Sequence, residues 1–228
     1  MNLAQTVVYS PLRALGRTLC RVHDEELIRI PDRGPLLIVA NHVNFLDVPI
    51  FYTHLIPRVV TGFAKLETWK NPALGILFSL GGAIPIRRGE VDRTAIGRAR
   101  EVLRSGKILA IAPEGTRSGD GRLQKAHTGV SILALDSGAP VLPVAYYGGE
   151  KFRSNISRLI RTNFYFRVGA PFRVRMEGGK LTREVREQIT TEIMYRLAAL
   201  LPPEYRGYYS DLSKATNGYL VDGIRLLP

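Results

Sequence analysis

The feature that most constrains this chain is an alternation of short apolar runs with segments of helical period, repeated along most of its 228 residues. Residues 36–40, 59–64, 83–87, 108–112 and 141–146 read as strands, each a brief apolar run bounded by Gly, Pro or charged residues. Residues 47–56, 69–80, 92–104 and 129–135 fall between them and read as helices. Strand and helix in alternation predict an α/β fold, a single domain with a central mostly parallel mixed sheet flanked by helices. Ligands of such sheets gather where loops leave the carboxyl ends of the strands. Residues 163–174 are expected to add a strand or hairpin. Residues 182–200, with Val185, Ile189, Ile193 and Leu197 near a helical period, are expected to form a long helix stopped by Pro202-Pro203.

The first residues behave differently. Ser10-Pro11 has the form of an N-cap and first helical position. From there Val8, Leu12, Leu15 and Leu19 fall on one side, with Arg13, Arg17 and Arg21 on the other. This predicts an N-terminal amphipathic helix, suited either to docking on the core or to lying on a membrane. The expected division is residues 1–26 as this helical segment, 27–202 as the main domain and 203–228 as a tail. Tyr205, Tyr208 and Tyr209 of the tail are read as surface packing or interfacial anchoring.

Composition removes several classes. With 45% hydrophobic and 23% charged residues, the chain has enough apolar surface to build a core. Cys20 is its single cysteine, so no disulfide or cysteine-based metal centre is expected, and a reducing compartment fits. The longest stretch free of charge, 71–86, is shorter than a membrane span and is broken by glycine and proline. The net charge of +12 is uneven: residues 151–176 contain no acid, but hold Lys151, Arg153, Arg158, Arg161, Arg167, Arg173 and Arg175. Nucleic acid, an anionic bilayer and a phosphorylated ligand all satisfy such a field. P-loop, dinucleotide and nucleophile-elbow signatures are missing, and Asn155-Ile156-Ser157 is a chance sequon if the protein is intracellular.

Chemistry is expected just after the first strand of the alternation, at Asn41-His42-Val43-Asn44-Phe45-Leu46-Asp47. Histidine removes a proton from a hydroxyl near neutral pH, and a carboxylate on its other ring nitrogen fixes the tautomer. Residues five apart diverge on a continuous helix, so pairing His42 with Asp47 needs a strand-to-helix loop, which the flanking patterns predict. Two further strand ends carry Arg87 and Arg88, and then Glu114, Gly115, Thr116, Arg117 and Ser118. Arginine forks and hydroxyls suit a phosphate monoester, and Gly115 permits close backbone approach.

These segments, with 139–144 as a fourth, resemble in order the four motifs of the glycerolipid acyltransferase family over residues 35–150. The resemblance implies that His42 is the base activating an acceptor hydroxyl and Asp47 its orienting partner. It implies that Asn41, Arg87, Glu114, Gly115, Thr116, Arg117 and Ser118 hold the acceptor, with Arg88 as an addition. Lys125 and Gly129 match the basic residue and glycine that follow the third motif, although Gln124 stands where the family usually has phenylalanine. The implied reaction passes a fatty acyl group from a thioester of coenzyme A or acyl carrier protein to lysophosphatidate, giving phosphatidate, without metal or other cofactor. Another lysophospholipid, glycerol 3-phosphate or a glycolipid is an alternative acceptor. From another class, a non-catalytic basic module binding membrane or nucleic acid explains the charge but not the motifs. The enzyme reading places the protein peripherally on the cytoplasmic face of an anionic membrane, with no nucleic acid partner.

Overall fold

The structure, a computed structural model, describes residues 3–87 and 92–226, with side chains from residue 7 onward. In chain order it contains α1 (Leu3–Leu19), β1 (Cys20–His23), β2 (Leu36–Ala40), α2 (Asp47–His54), β3 (Val60–Lys65), α3 (Pro72–Leu80), β4 (Ile84–Ile86) and α4 (Arg93–Arg104). These are followed by β5 (Ile108–Ile111), α5 (Gly129–Ser137), β6 (Val141–Tyr147), α6 (Phe152–Ile156), β7 (Thr162–Val168), β8 (Arg173–Val174), α7 (Arg183–Ala198) and β9 (Leu220–Val221). Seven strands form the main sheet in the order β1-β7-β6-β2-β5-β3-β4. The five from β6 to β4 are parallel, while β7 runs against β6 and β1 follows β7. The expected mostly parallel mixed sheet is thus present.

Strand β2 shows why the sheet is covered on both sides. All five of its residues are buried, as continuous apolar sequence in a central parallel strand requires. Because side chains alternate, Leu37 and Val39 enter one core with α4, α5 and α7, while Leu36, Ile38 and Ala40 enter the other with α2. Strand β6 divides likewise, with Val141 and Ala145 on the first face and Leu142, Val144 and Tyr146 on the second. Helix α4 begins where the Asp92 carboxylate accepts the Ala95 N–H, at 2.9 Å, and buries Ala95, Ala99 and Leu103 at intervals of four. Thr182 caps α7 in the same way through the Val185 N–H.

Two expectations are corrected. Helix α1 begins at Leu3, not at Ser10, and carries Pro11 inside it. Packing on both sides of the proline overrides the local start signal: Gly16 faces Ile50 and His54 of α2, and the Tyr9 hydroxyl lies against Gly81 beyond α3. The arginine stripe does not simply face solvent, because Arg13 and Arg17 both reach Asp24 and Arg17 also approaches His54. Among its described side chains, Val7 and Leu15 are the exposed large apolar ones. Residues 69–80 are not one helix: a 3-10 turn over Leu66–Lys70 precedes α3, which starts at Pro72 under an Asn71 cap. The strand expected within 163–174 is β7, and the short β8 after it pairs with β9.

The segment after α7 packs back onto the body. Buried Glu192 of α7 accepts bonds from Thr216 Oγ1 and from the N–H groups of Gly218 and Tyr219, at 2.7–3.0 Å. Tyr209 is buried, and its ring meets Tyr195 edge-on. Among the described residues, no helix is long and apolar enough to cross a membrane.

Candidate active site

Parallel pairing brings the carboxyl ends of β2, β3, β4, β5 and β6 to one edge, and the loop from β2 to α2 crosses it. Asn41 fastens the start of that loop: its Nδ2 donates to the Tyr146 carbonyl at 2.8 Å and its Oδ1 accepts the Tyr146 N–H at 3.0 Å. Asn44 holds the middle, donating to the Gly149 carbonyl and accepting the Leu46 N–H. The chain therefore turns within six residues and places His42 beside Asp47, the first residue of α2. Their Nδ1 and Oδ2 atoms lie 2.8 Å apart.

Asp47 Oδ2 also accepts the N–H groups of Val43 and Asn44, at 2.6 and 2.8 Å. With donors converging on that oxygen, His42 Nδ1 carries the proton and Nε2 presents its lone pair outward. The His42 side chain retains 12% exposure, so a substrate can reach it, whereas Asp47 retains 1%. Burial pushes the Asp47 carboxyl up, and the bonds from His42, Asn44 and Val43 pull against that shift. Its position in the first turn of α2 adds the favourable end of the helix dipole. The other carboxylate oxygen, Oδ1, is buried without a hydrogen-bond partner among the described residues.

The loop after β5 is fitted against the same histidine. Glu114 Oε1 accepts the His42 N–H and Oε2 accepts the Gln124 N–H, both at 2.9 Å. The Ser118 and Gly119 N–H groups bond the His42 and Val43 carbonyls, at 2.8 and 2.9 Å. Between these contacts Gly115 adopts φ 68°, which favours glycine, and a Cβ there would lie 2.9 Å from His127 Cδ2 and displace that ring. Burial raises the Glu114 carboxyl from the ordinary 4.5 to about 7, with the Gln124 and His42 N–H groups opposing it.

A pH dependence of stability follows. Folding favours protonated Glu114, so the stability it contributes is fully present below the unfolded value of 4.5 and is lost as pH rises through about 7. Between pH 5 and 8 the loss amounts to roughly 2–3 kcal/mol at 1.36 kcal/mol per pKa unit. Denaturant titrations at both pH values check this against Glu114→Gln, which does not titrate. Wild type should lose that much stability relative to the variant, and parallel profiles would contradict the assignment.

The remaining expected residues lie on the loops that leave the carboxyl ends of β4 and β5. Thr116, Arg117 and Lys125 are exposed on the loop after β5, and Arg87 is exposed just past β4, its N–H directed to Asp92. Among the described residues, no carboxylate forms an ion pair with Arg87, Arg117 or Lys125. Ser118 Oγ accepts the Gly121 N–H. Arg88 lies outside the described residues. Sequence reasoning passed over His127, whose N–H bonds the Pro113 carbonyl beneath the glycine turn. It also missed Tyr209, whose hydroxyl accepts the Ala126 N–H at 3.1 Å from 83 residues away. No local pattern marks either contact. Tyr146 had a weak signal, its position at the carboxyl end of a strand.

A family profile described as Acyltransferase matches residues 20–147. Lyso-ornithine lipid O-acyltransferase of Pseudomonas aeruginosa is 33% identical over 144 residues, which cover 57% of this chain and 55% of that protein. The 1-acyl-sn-glycerol-3-phosphate acyltransferase of Borreliella burgdorferi is 32% identical over 126 residues, 54% of this chain and 50% of that protein. The chain thus spans about half the length of these curated relatives. The crystal structure of the 1-acyl-sn-glycerophosphate (LPA) acyltransferase PlsC from Thermotoga maritima shares the fold, with a TM-score of 0.61 and 23% identity over 86% of this chain and 80% of that one.

Proposed function

The chain belongs to the acyltransferase family, and from that premise we propose that it moves a fatty acyl group from a thioester to the free hydroxyl of a lysophospholipid, with lysophosphatidate as acceptor and phosphatidate as product. The observation that carries this reading is the 2.8 Å contact between His42 Nδ1 and an aspartate oxygen already fixed by two backbone N–H groups. Nδ1–H is held by Asp47, so Nε2 takes the acceptor's hydroxyl proton as that oxygen attacks the thioester carbonyl. The tetrahedral adduct collapses, the carbon–sulfur bond breaks, and the imidazolium returns its proton to the leaving thiolate. No covalent acyl-enzyme is needed, and positioning the two substrates supplies much of the acceleration. Coenzyme A or acyl carrier protein is the leaving thiol. Such an enzyme works peripherally, on the cytoplasmic face of a membrane that supplies its acceptor.

Arg87 and Arg117, unpaired with any described carboxylate, take the acceptor's phosphate, with Lys125, Thr116 and Ser118 beside them. A second reading is favoured by the Pseudomonas relative, whose name specifies a lyso-ornithine lipid, a headgroup without phosphate. Acyl transfer from a long-chain acyl-CoA in detergent micelles separates the two. Arg117→Ala should raise the KM for lysophosphatidate about 10- to 100-fold, the worth of a charge-assisted bond, and leave the KM for thioester nearly unchanged. Equal loss with lyso-ornithine lipid would remove the arginine from phosphate recognition. Turnover of lyso-ornithine lipid alone would favour the second reading.

A further inference from the structure

The connection between β6 and β7 has a feature that folding alone leaves unexplained. Helix α6 ends in a turn closed by the Ile160 N–H on the Asn155 carbonyl at 2.9 Å and the Leu159 N–H on the Ile156 carbonyl at 3.1 Å. Leu159 occupies the left-handed position of this turn, with φ 56°, and is the one non-glycine residue with positive φ among those described. Glycine is the usual occupant of such a position, because a Cβ there is strained. The leucine gains no burial in return, since its side chain is 94% exposed. Ile160 and Ile156 beside it are also exposed, at 53% and 42%.

Scattered apolar residues on a surface need no explanation. Here three aliphatic side chains fall within five residues, flanked by exposed Lys151, Arg153 and Arg158, none of them ion-paired with a described carboxylate. The base of the turn is firmly held. Phe152 is buried and meets Phe45 edge-on at 5.8 Å, Asn155 Nδ2 bonds Thr162 Oγ1, and Arg161 donates to the Cys20 carbonyl at 2.8 Å and to the Arg17 carbonyl. Phe45 belongs to the His42–Asp47 loop, and Asn44 bonds Gly149 at the start of the connection, so the connection that carries the turn packs against the loop of the site.

We propose that residues 156–160 insert into the interface of an anionic bilayer, with Leu159 and Ile160 among the upper acyl chains and Lys151, Arg153 and Arg158 at the level of the headgroups. A projecting apolar tip ringed by cations fits that boundary, whereas a protein partner would have to supply a recess for it. The strained leucine is then explained by insertion. The inference rests on the proposed function only for the source of the acceptor: a site beside the inserted turn opens where lysolipid lies.

Sedimentation of the full chain with vesicles of phosphatidylglycerol and phosphatidylcholine, and with vesicles of phosphatidylcholine alone, tests it. Wild type should bind the anionic vesicles more strongly. Leu159→Gly should bind them about tenfold less tightly while its melting temperature stays equal or rises, because glycine relieves the backbone. Ile160→Ser should weaken binding similarly without relieving the backbone. Unchanged binding by both variants, equal binding of wild type to both vesicles, or no binding by wild type would overturn the proposal. Acyl transfer to a short-chain lysophosphatidate dissolved as monomer separates this result from the enzymatic reading. Wild type and Leu159→Gly should turn it over equally, and absence of turnover in both would count against the acyltransfer reaction whatever the vesicles show.

Discussion

Alanine at His42 should lower the turnover number of acyl transfer about a thousandfold, within the range for loss of a positioned general base. Nothing in the loop replaces it: Asp47 is buried, and both oxygens of Glu114 are taken by backbone N–H groups. The fold should survive, because the side chain's bond to Asp47 is one of three on that oxygen and the backbone pair from Val43 and Asn44 remains. The KM for the acceptor should change little, since the arginines are untouched. Steady-state kinetics beside a thermal melt decides the matter. A variant that kept more than a tenth of wild-type turnover would remove His42 from the chemistry.

Asparagine at Asp47 tests the charge separately from the geometry. An amide oxygen placed at Oδ2 still accepts from His42, Val43 and Asn44, so loop and tautomer are preserved. The amide nitrogen then falls where Oδ1 has no hydrogen-bond partner among the described residues. What disappears is the negative charge that stabilises the imidazolium in the transition state. At an effective dielectric near 20, an opposite charge some 4 Å away contributes about 4 kcal/mol, and even half of that costs roughly 30-fold. Turnover should therefore fall roughly 30- to 1000-fold, with a smaller change in melting temperature. Turnover within threefold of wild type would mean that Asp47 orients the ring and does nothing more.

Much of the fold was legible because its central strands are continuous apolar runs. The five parallel strands follow the expected alternation to within a residue or two, and Asp92 and Thr182 mark helix starts by cap chemistry. Direction was harder to read. No local pattern shows that β7 turns back against β6, and none shows that Cys20–His23 leaves the first helix to pair with β7, a partner more than a hundred residues away. The same division holds in the site. His42 and Asp47 lie five residues apart and read as a pair, but the role of Glu114 in gripping the His42 and Gln124 backbones depends on how two strand ends meet. Motif spacing names a carboxylate without saying that both its oxygens are occupied.

The contact between Tyr209 and Ala126 bears on the order in which the enzyme is made. The loop carrying Thr116, Arg117 and Lys125 is steadied by a tyrosine 83 residues downstream, beyond the family-matched segment 20–147. At 5–20 residues per second, a ribosome needs roughly 4–17 s to travel that far. For most of that interval, from residue 147 onward, every motif has been synthesised while the brace for the loop has not. A nascent chain paused late in that interval holds the His42–Asp47 pair without the braced loop after β5, so on the proposed function competence should arrive late, as a step, and not grow with the length of sheet already folded.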